Sequence, residues 1–125
     1  MRKKREGKKV PKERRKDSRI KEEDKVVIEL LSNADLPEQK RVLNALTKDI
    51  SPGGVRVMTN VNLPVGTLLR LEIGLARRRK LIQAVGTVRW ARSIYEEELF
   101  ELGVEFTQIS PEDKFALLEH TYRKK

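Results

Sequence analysis

Two short clusters in this chain carry side chains suited to a charged, hydrogen-bonding ligand. The first is Asp49-Ile50-Ser51-Pro52-Gly53-Gly54. Asp49 offers acceptors and Ser51 a hydroxyl, Pro52 fixes one φ, and Gly53 and Gly54 open φ values closed to other residues while letting a ligand approach the backbone. The second is Arg14-Arg15-Lys16-Asp17-Ser18-Arg19. Guanidinium groups bond phosphate oxygens in pairs, read the O6/N7 edge of guanine and stack on base faces. Arg15 and Arg19, four residues apart, can grip two such features at once. Each cluster also has a plain reading. Asp-x-Ser-Pro-Gly-Gly is what an ordinary hairpin turn looks like, and an arginine-rich segment coats any polyanion.

Catalytic chemistry is poorly supplied. The single histidine, His120, falls near the end of a C-terminal helical pattern between Glu119 and Thr121, where a surface role is expected rather than base catalysis. Glu96-Glu97-Glu98 is a carboxylate run in a polar connection and reads as solvated charge. There is no glycine-rich phosphate loop with its lysine and no His or Asp set with metal spacing. Cysteine is absent, which removes thiolate nucleophiles, thiolate metal sites and disulfides together. The expectation is a binding protein, not an enzyme, with no cofactor.

Charge says where a ligand would be met. The chain has 28 basic and 19 acidic residues, a formal charge of +9. Residues 1–21 hold twelve of the basic residues against Glu6, Glu13 and Asp17, which is also +9, so the remainder is neutral. A basic arm on a neutral body implies a polyanionic partner. That arm has almost no large apolar side chain beyond Val10 and Ile20, too little to offset the entropy of ordering its backbone, and is expected to be mobile until a ligand binds. Residues 1–21 are thus read as a flexible arm and 22–125 as one domain with a modest core. No apolar run approaches the roughly 18 residues of a membrane span, and no leader opens the chain, so a soluble cytoplasmic protein is expected.

The elements that must position these clusters are mostly strands. Residues 26–31 form a short β-branched run, 32–40 a loop, and 41–50 a strand that delivers Asp49 to the turn, after which 55–59 resumes the extended pattern. Residues 67–75 alternate, with Leu69, Leu71, Ile73 and Leu75 on one face. Residues 81–90 answer them with Ile82, Ala84, Val88 and Trp90, across a basic tip of Arg77, Arg78, Arg79 and Lys80 that discourages edge pairing. A polar stretch, 92–98, precedes a last strand with Phe100, Leu102, Val104 and Phe106 inside and Glu101 and Glu105 outside. Ser110-Pro111-Glu112-Asp113 has an N-cap hydroxyl, proline at the first helical position and acids at the positive end of the dipole. The stripe Phe115, Leu118 and Tyr122 is expected to lie on the sheet. Six short strands and a terminal helix without βα rhythm predict a mostly antiparallel barrel.

Taken together, the arm and the turn resemble the PilZ domain, the bacterial receptor module for cyclic di-GMP. Arg15-Lys16-Asp17-Ser18-Arg19 matches the family's Arg-x-x-x-Arg, with Arg14 just ahead, and Asp49-Ile50-Ser51-Pro52-Gly53-Gly54 matches its Asp/Asn-x-Ser-x-x-Gly. Gly86-Thr87-Val88, Leu102-Gly103-Val104-Glu105-Phe106 and Ile109-Ser110-Pro111-Glu112-Asp113 look like its later strands and C-terminal helix. The resemblance covers residues 13–122. It implies a six-stranded antiparallel β-barrel with a C-terminal helix, the nucleotide lying on one outer face between arm and turn. It also implies roles. Arg15 and Arg19 hold phosphates and guanine edges or stack on bases, and Arg14 contributes to stacking, which in related domains accompanies an intercalated dimer of cyclic di-GMP. Asp49 accepts from the guanine N1/N2 edge, Ser51 bonds base or phosphate, and Gly54, beside Gly53, keeps the floor clear. A separate downstream protein would carry the output. The rival is a basic-tailed β-barrel that binds DNA or RNA, which needs exposed aromatics for stacking. The inward positions expected for Trp90, Phe100, Phe106 and Phe115 count against nucleic acid.

Overall fold

The computed structural model describes residues 23–32 and 41–123. Six antiparallel strands close on themselves: β1 Lys25–Leu30, β2 Val42–Ser51, β3 Gly54–Thr59, β4 Leu68–Leu75, β5 Lys80–Tyr95 and β6 Leu99–Ile109, in the order β1-β2-β3-β6-β5-β4. Helix α1, Pro111–Arg123, follows. Closure leaves no strand edge unpaired, so the barrel has no template for pairing with another chain. The expected arm and its arginines, and all of the 32–40 loop but Ser32, lie outside the described residues.

Alternation builds the core. Val26, Ile28 and Leu30 of β1 face inward with Leu69, Leu71, Ile73 and Leu75 of β4, Ile82 and Val88 of β5, and Leu102 and Val104 of β6. Each such side chain contributes roughly 1.5–3 kcal/mol by leaving water. The β4–β5 hairpin pairs Leu75 with Lys80 and Leu68 with Thr87, as its alternation predicts, and Arg77, Arg78 and Arg79 stay exposed at its tip.

Register shifts interrupt the ladder at four places, one between β2 and β3 and three between β5 and β6, and two of them bear on the site. In β2, Thr47 pairs with Val57 and Asp49 with Arg56, so Lys48 is an extra residue. In β5, Val88 pairs with Val104 and Trp90 with Gly103, which leaves Arg89 extra. A bulge turns every following side chain to the opposite face. Asp49 would otherwise point inward like Ala45 and Thr47; beyond the bulge it lies on the outer face, and Ile50 takes the inside. Trp90 likewise turns outward and is 41% exposed, while Ala91 packs on the core. The inward position expected for Trp90 is therefore corrected. β5 also runs on to Tyr95, through much of the stretch expected as a polar connection.

Helix α1 starts as its sequence directs. The Ser110 hydroxyl accepts from Asp113 N at 3.0 Å, and Asp113 itself ties the first turn to β5, accepting from Gln83 N at 3.1 Å with Lys80 Nζ 3.5 Å away. Its buried face is not the expected one. Leu117, His120 and Thr121 are fully buried, whereas Phe115 and Tyr122 are exposed. The two aromatics share a stripe, and that stripe faces away from the barrel. His120, expected at the surface, is packed inside.

Candidate functional site

The Asp-x-Ser-Pro-Gly-Gly turn joins β2 to β3, with Ser51 paired to Gly54 and the Ser51 hydroxyl donating to the Gly54 carbonyl at 3.4 Å. Neither Gly53 nor Gly54 takes a positive φ, so conformational freedom is not why they are glycine. Gly54 is required by space: an added Cβ would run into the Val104 carbonyl oxygen of β6. Gly53 has nothing within 4 Å of that position, and its carbonyl accepts from Phe106 N at 2.9 Å. The turn is thus pinned against β6, with an open surface at Gly53.

Across the outer face, register places Ser51 and Asp49 of β2, Gly54 and Arg56 of β3, Gly103 and Glu105 of β6, and Thr87 and Trp90 of β5 in neighbouring rows. The Trp90 indole covers Gly103, where an added Cβ would collide with the ring. Opposite it, Arg56 Nη2 lies 2.7 Å from Asp49 Oδ2, and Arg56 Nη1 lies 3.1 Å from Glu101 Oε2. Arg92 donates to Glu101 from Nε at 2.8 Å, and Arg89 pairs with Glu105. Glu101 sits on the outer face as expected, yet is only 3% exposed because two guanidinium groups cover it. The result is a half-exposed aromatic plate bordered by guanidinium and carboxylate groups, a surface able to stack a flat ring and hydrogen-bond its edge.

Of the expected site residues, Asp49, Ser51, Gly53 and Gly54 come together in one hairpin, while Arg14, Arg15 and Arg19 lie outside the described residues. The start of the described chain is nevertheless informative. Asp24 N donates to Thr47 Oγ1 and Thr47 N to the Asp24 carbonyl, both at 2.8 Å, two residues before Asp49 on β2. The segment preceding β1 therefore joins the barrel beside the site. Sequence reasoning missed Arg56, Glu101 and Trp90 as neighbours of Asp49. Arg56 was within reach of it, being two residues beyond Gly54 on the same face of a strand, whereas Trp90 arrives only through the β5 bulge. A surface cavity of about 570 Å³ lies at the other end of the barrel, lined by residues 62–65, 91–93, 96, 97 and 100, and shares only Arg92 with this group.

Among the described residues no group of His, Cys, Asp and Glu could hold a metal ion, and no helix is long and apolar enough to cross a membrane.

The model of the PilZ domain matches residues 13–123. Among solved structures, the Bacillus subtilis inhibitor of motility (MotI/DgrA) superposes with a TM-score of 0.69 at 25% identity, over 89% of this chain and 50% of that one, so the chain spans about half its length. The PilZ domain of YcgR from Escherichia coli, solved with c-di-GMP, gives 0.61 at 16% identity over 88% and 90% of the two chains. The PilZ domain of CeSA from a cellulose-synthesizing bacterium gives 0.55 at 14% over 85% and 96%. No curated protein matches the chain.

Proposed function

Since a family match over nearly the whole length makes this chain a member of the PilZ family, we propose that it is a receptor for cyclic di-GMP whose N-terminal arm closes over the nucleotide and signals to a downstream protein. The observation that carries the reading is the hydrogen bonding of Asp24, three residues after the arm, to Thr47, two residues before Asp49 on β2. Arg19 is five residues before Asp24 and Arg15 nine, reaches of about 17 Å and 30 Å for extended chain, against roughly 7 Å from Thr47 to Asp49 along a strand. Both arginines can therefore meet a ligand lying on the Asp49 face. In this reading Arg15 and Arg19 take phosphate oxygens and guanine edges, Arg14 adds to stacking, and Asp49 and Ser51 hold a base from the barrel side over the open surface at Gly53 and Gly54. Trp90 supplies a second stacking surface.

The magnitudes suit a switch. Charge-assisted hydrogen bonds contribute about 1.5–3 kcal/mol each and base stacking on an aromatic about 1–3 kcal/mol. Ordering a segment costs about 2–5 kcal/mol. A net of about 8 kcal/mol corresponds to micromolar affinity. One arginine cannot close the arm, but several contacts together can.

Calorimetric titration of cyclic di-GMP into the wild type and into Arg15→Ala and Asp49→Ala tests the binding: saturable uptake lost in both variants supports it, and no uptake by the wild type ends it. Hydrogen exchange of residues 8–21 tests the closure, with slowing on ligand addition expected and equal rates with and without nucleotide counting against it. The exposed Trp90 keeps a second reading in view, a barrel that stacks single-stranded nucleic acid beside a basic arm. That reading predicts oligonucleotide binding that falls steeply with salt and is indifferent to Asp49→Ala.

A further inference from the structure

Asp49 does not stand alone on the outer face. It belongs to a chain of charges that takes one residue from each of four adjacent strands: Asp49 of β2, Arg56 of β3, Glu101 of β6 and Arg92 of β5. The side chains of Asp49 and Glu101 are each 4% exposed, that of Arg56 is 28% exposed, and that of Arg92 is 62% exposed. Arg56 thus spends one Nη on each of two buried carboxylates. Its planar fork cannot tilt without losing one of them. Glu101 is covered by the Arg56 and Arg92 guanidinium groups, and through Arg56 it is linked to Asp49.

Orientation matters because of what the carboxylate would meet. The guanine edge presents N1–H and N2–H side by side, and a carboxylate takes both only when its two oxygens lie in the plane of the base. Adenine presents no such pair of donors. A chain of charges kept for stability alone would be a weak device, since packed apolar replacements of buried ion pairs are often neutral or stabilising.

We propose that Arg56, anchored by Glu101, is a positioning residue for the nucleotide site, setting the orientation in which Asp49 meets the guanine edge. This rests on the cyclic di-GMP reading above. It predicts that Arg56→Met and Glu101→Gln each weaken cyclic di-GMP binding by at least about tenfold and narrow the preference over cyclic di-AMP. Because Arg56 acts through Asp49, its substitution has little further effect, within about twofold, once Asp49→Asn has been made.

The test is calorimetric titration of both nucleotides into the wild type, Arg56→Met, Glu101→Gln, Asp49→Asn and the Arg56→Met/Asp49→Asn pair, with melting curves to verify folding. Coupled losses support the proposal. If Arg56→Met does not fold, the nearly isosteric Glu101→Gln decides, by weakening cyclic di-GMP and narrowing the preference or by leaving both unchanged. A wild type that binds cyclic di-GMP, with Arg56→Met and Glu101→Gln binding as tightly, overturns the positioning role alone, as do losses that add independently of Asp49→Asn. A wild type that binds neither nucleotide overturns the receptor reading and this proposal with it.

Discussion

Gly54 and Gly53 are neighbours with opposite demands. A Cβ at Gly54 meets the backbone of β6, which cannot yield as a flexible side chain would, whereas a Cβ at Gly53 meets nothing within 4 Å. Gly54→Ala is expected to cost about 1–3 kcal/mol from overpacking, and Gly53→Ala to stay within about 0.5 kcal/mol. Thermal denaturation checks both, with a fall of roughly 4–8 °C per kcal/mol for a domain of this size. Trp90 is the only tryptophan in the chain. Its emission is expected to change on nucleotide binding, and Trp90→Ala to lose about 1–3 kcal/mol of affinity, the worth of one base on an aromatic face. An unchanged emission at saturation, with unchanged affinity in the variant, would remove Trp90 from the ligand surface.

At the level of elements, two extra residues decide which way two strands face. Deleting Lys48 removes the β2 bulge but leaves Asp49 opposite Arg56 on the outer face and Ile50 opposite Val55 inside, because the residue taken away is the extra one. The expected outcome is a folded barrel that keeps Asp49 on the binding face, with melting temperature and nucleotide affinity changed only through loss of the local bend and twist that the bulge gives the strand. Lys48→Ala keeps the extra residue and gives up only an exposed ion pair with Glu23 at 4.0 Å, worth little. It is expected to melt and bind like the wild type, and a comparison of the two variants by melting and titration isolates the bulge's bend and twist from side-chain chemistry. Helix α1 gives a smaller case. Ser110→Ala removes the cap on Asp113 N and should lower stability by about 1 kcal/mol, read from denaturant midpoints at unchanged slope.

For the molecule as a whole, charge and fold are divided between two parts. Residues 1–21 carry +9 and the rest is neutral. A chain lacking residues 1–21 is therefore expected to keep the barrel's melting temperature while losing nucleotide affinity, because the described residues build a closed core of their own. Loss of the barrel transition in that truncation would show that the arm is part of the fold. The same pair of proteins separates a specific receptor from a general polyanion binder. For the receptor, affinity in the intact chain depends on Asp49 and only modestly on salt. For the polyanion binder, it tracks the arm's charge and falls steeply with salt.

Much of this architecture was legible in the residues alone, for a definable reason. Alternation in 67–75 and 81–88, and the Ser-Pro-Glu-Asp helix start, are local signals, since the two-residue period of a strand and the orphan donors of a helix are properties of short stretches of backbone. The turn was also readable, as was its order after the arginine cluster. What the sequence could not convey is where the period breaks. A single extra residue in a strand has no composition of its own, and only pairing with Val57 and Arg56, or with Val104 and Gly103, reveals that Lys48 and Arg89 are surplus. Tertiary structure alone therefore turned Asp49 and Trp90 to the same outer face and rotated Phe115 and Tyr122 away from the barrel. It also buried His120 and Glu101, because facing and burial depend on partners far away in the chain.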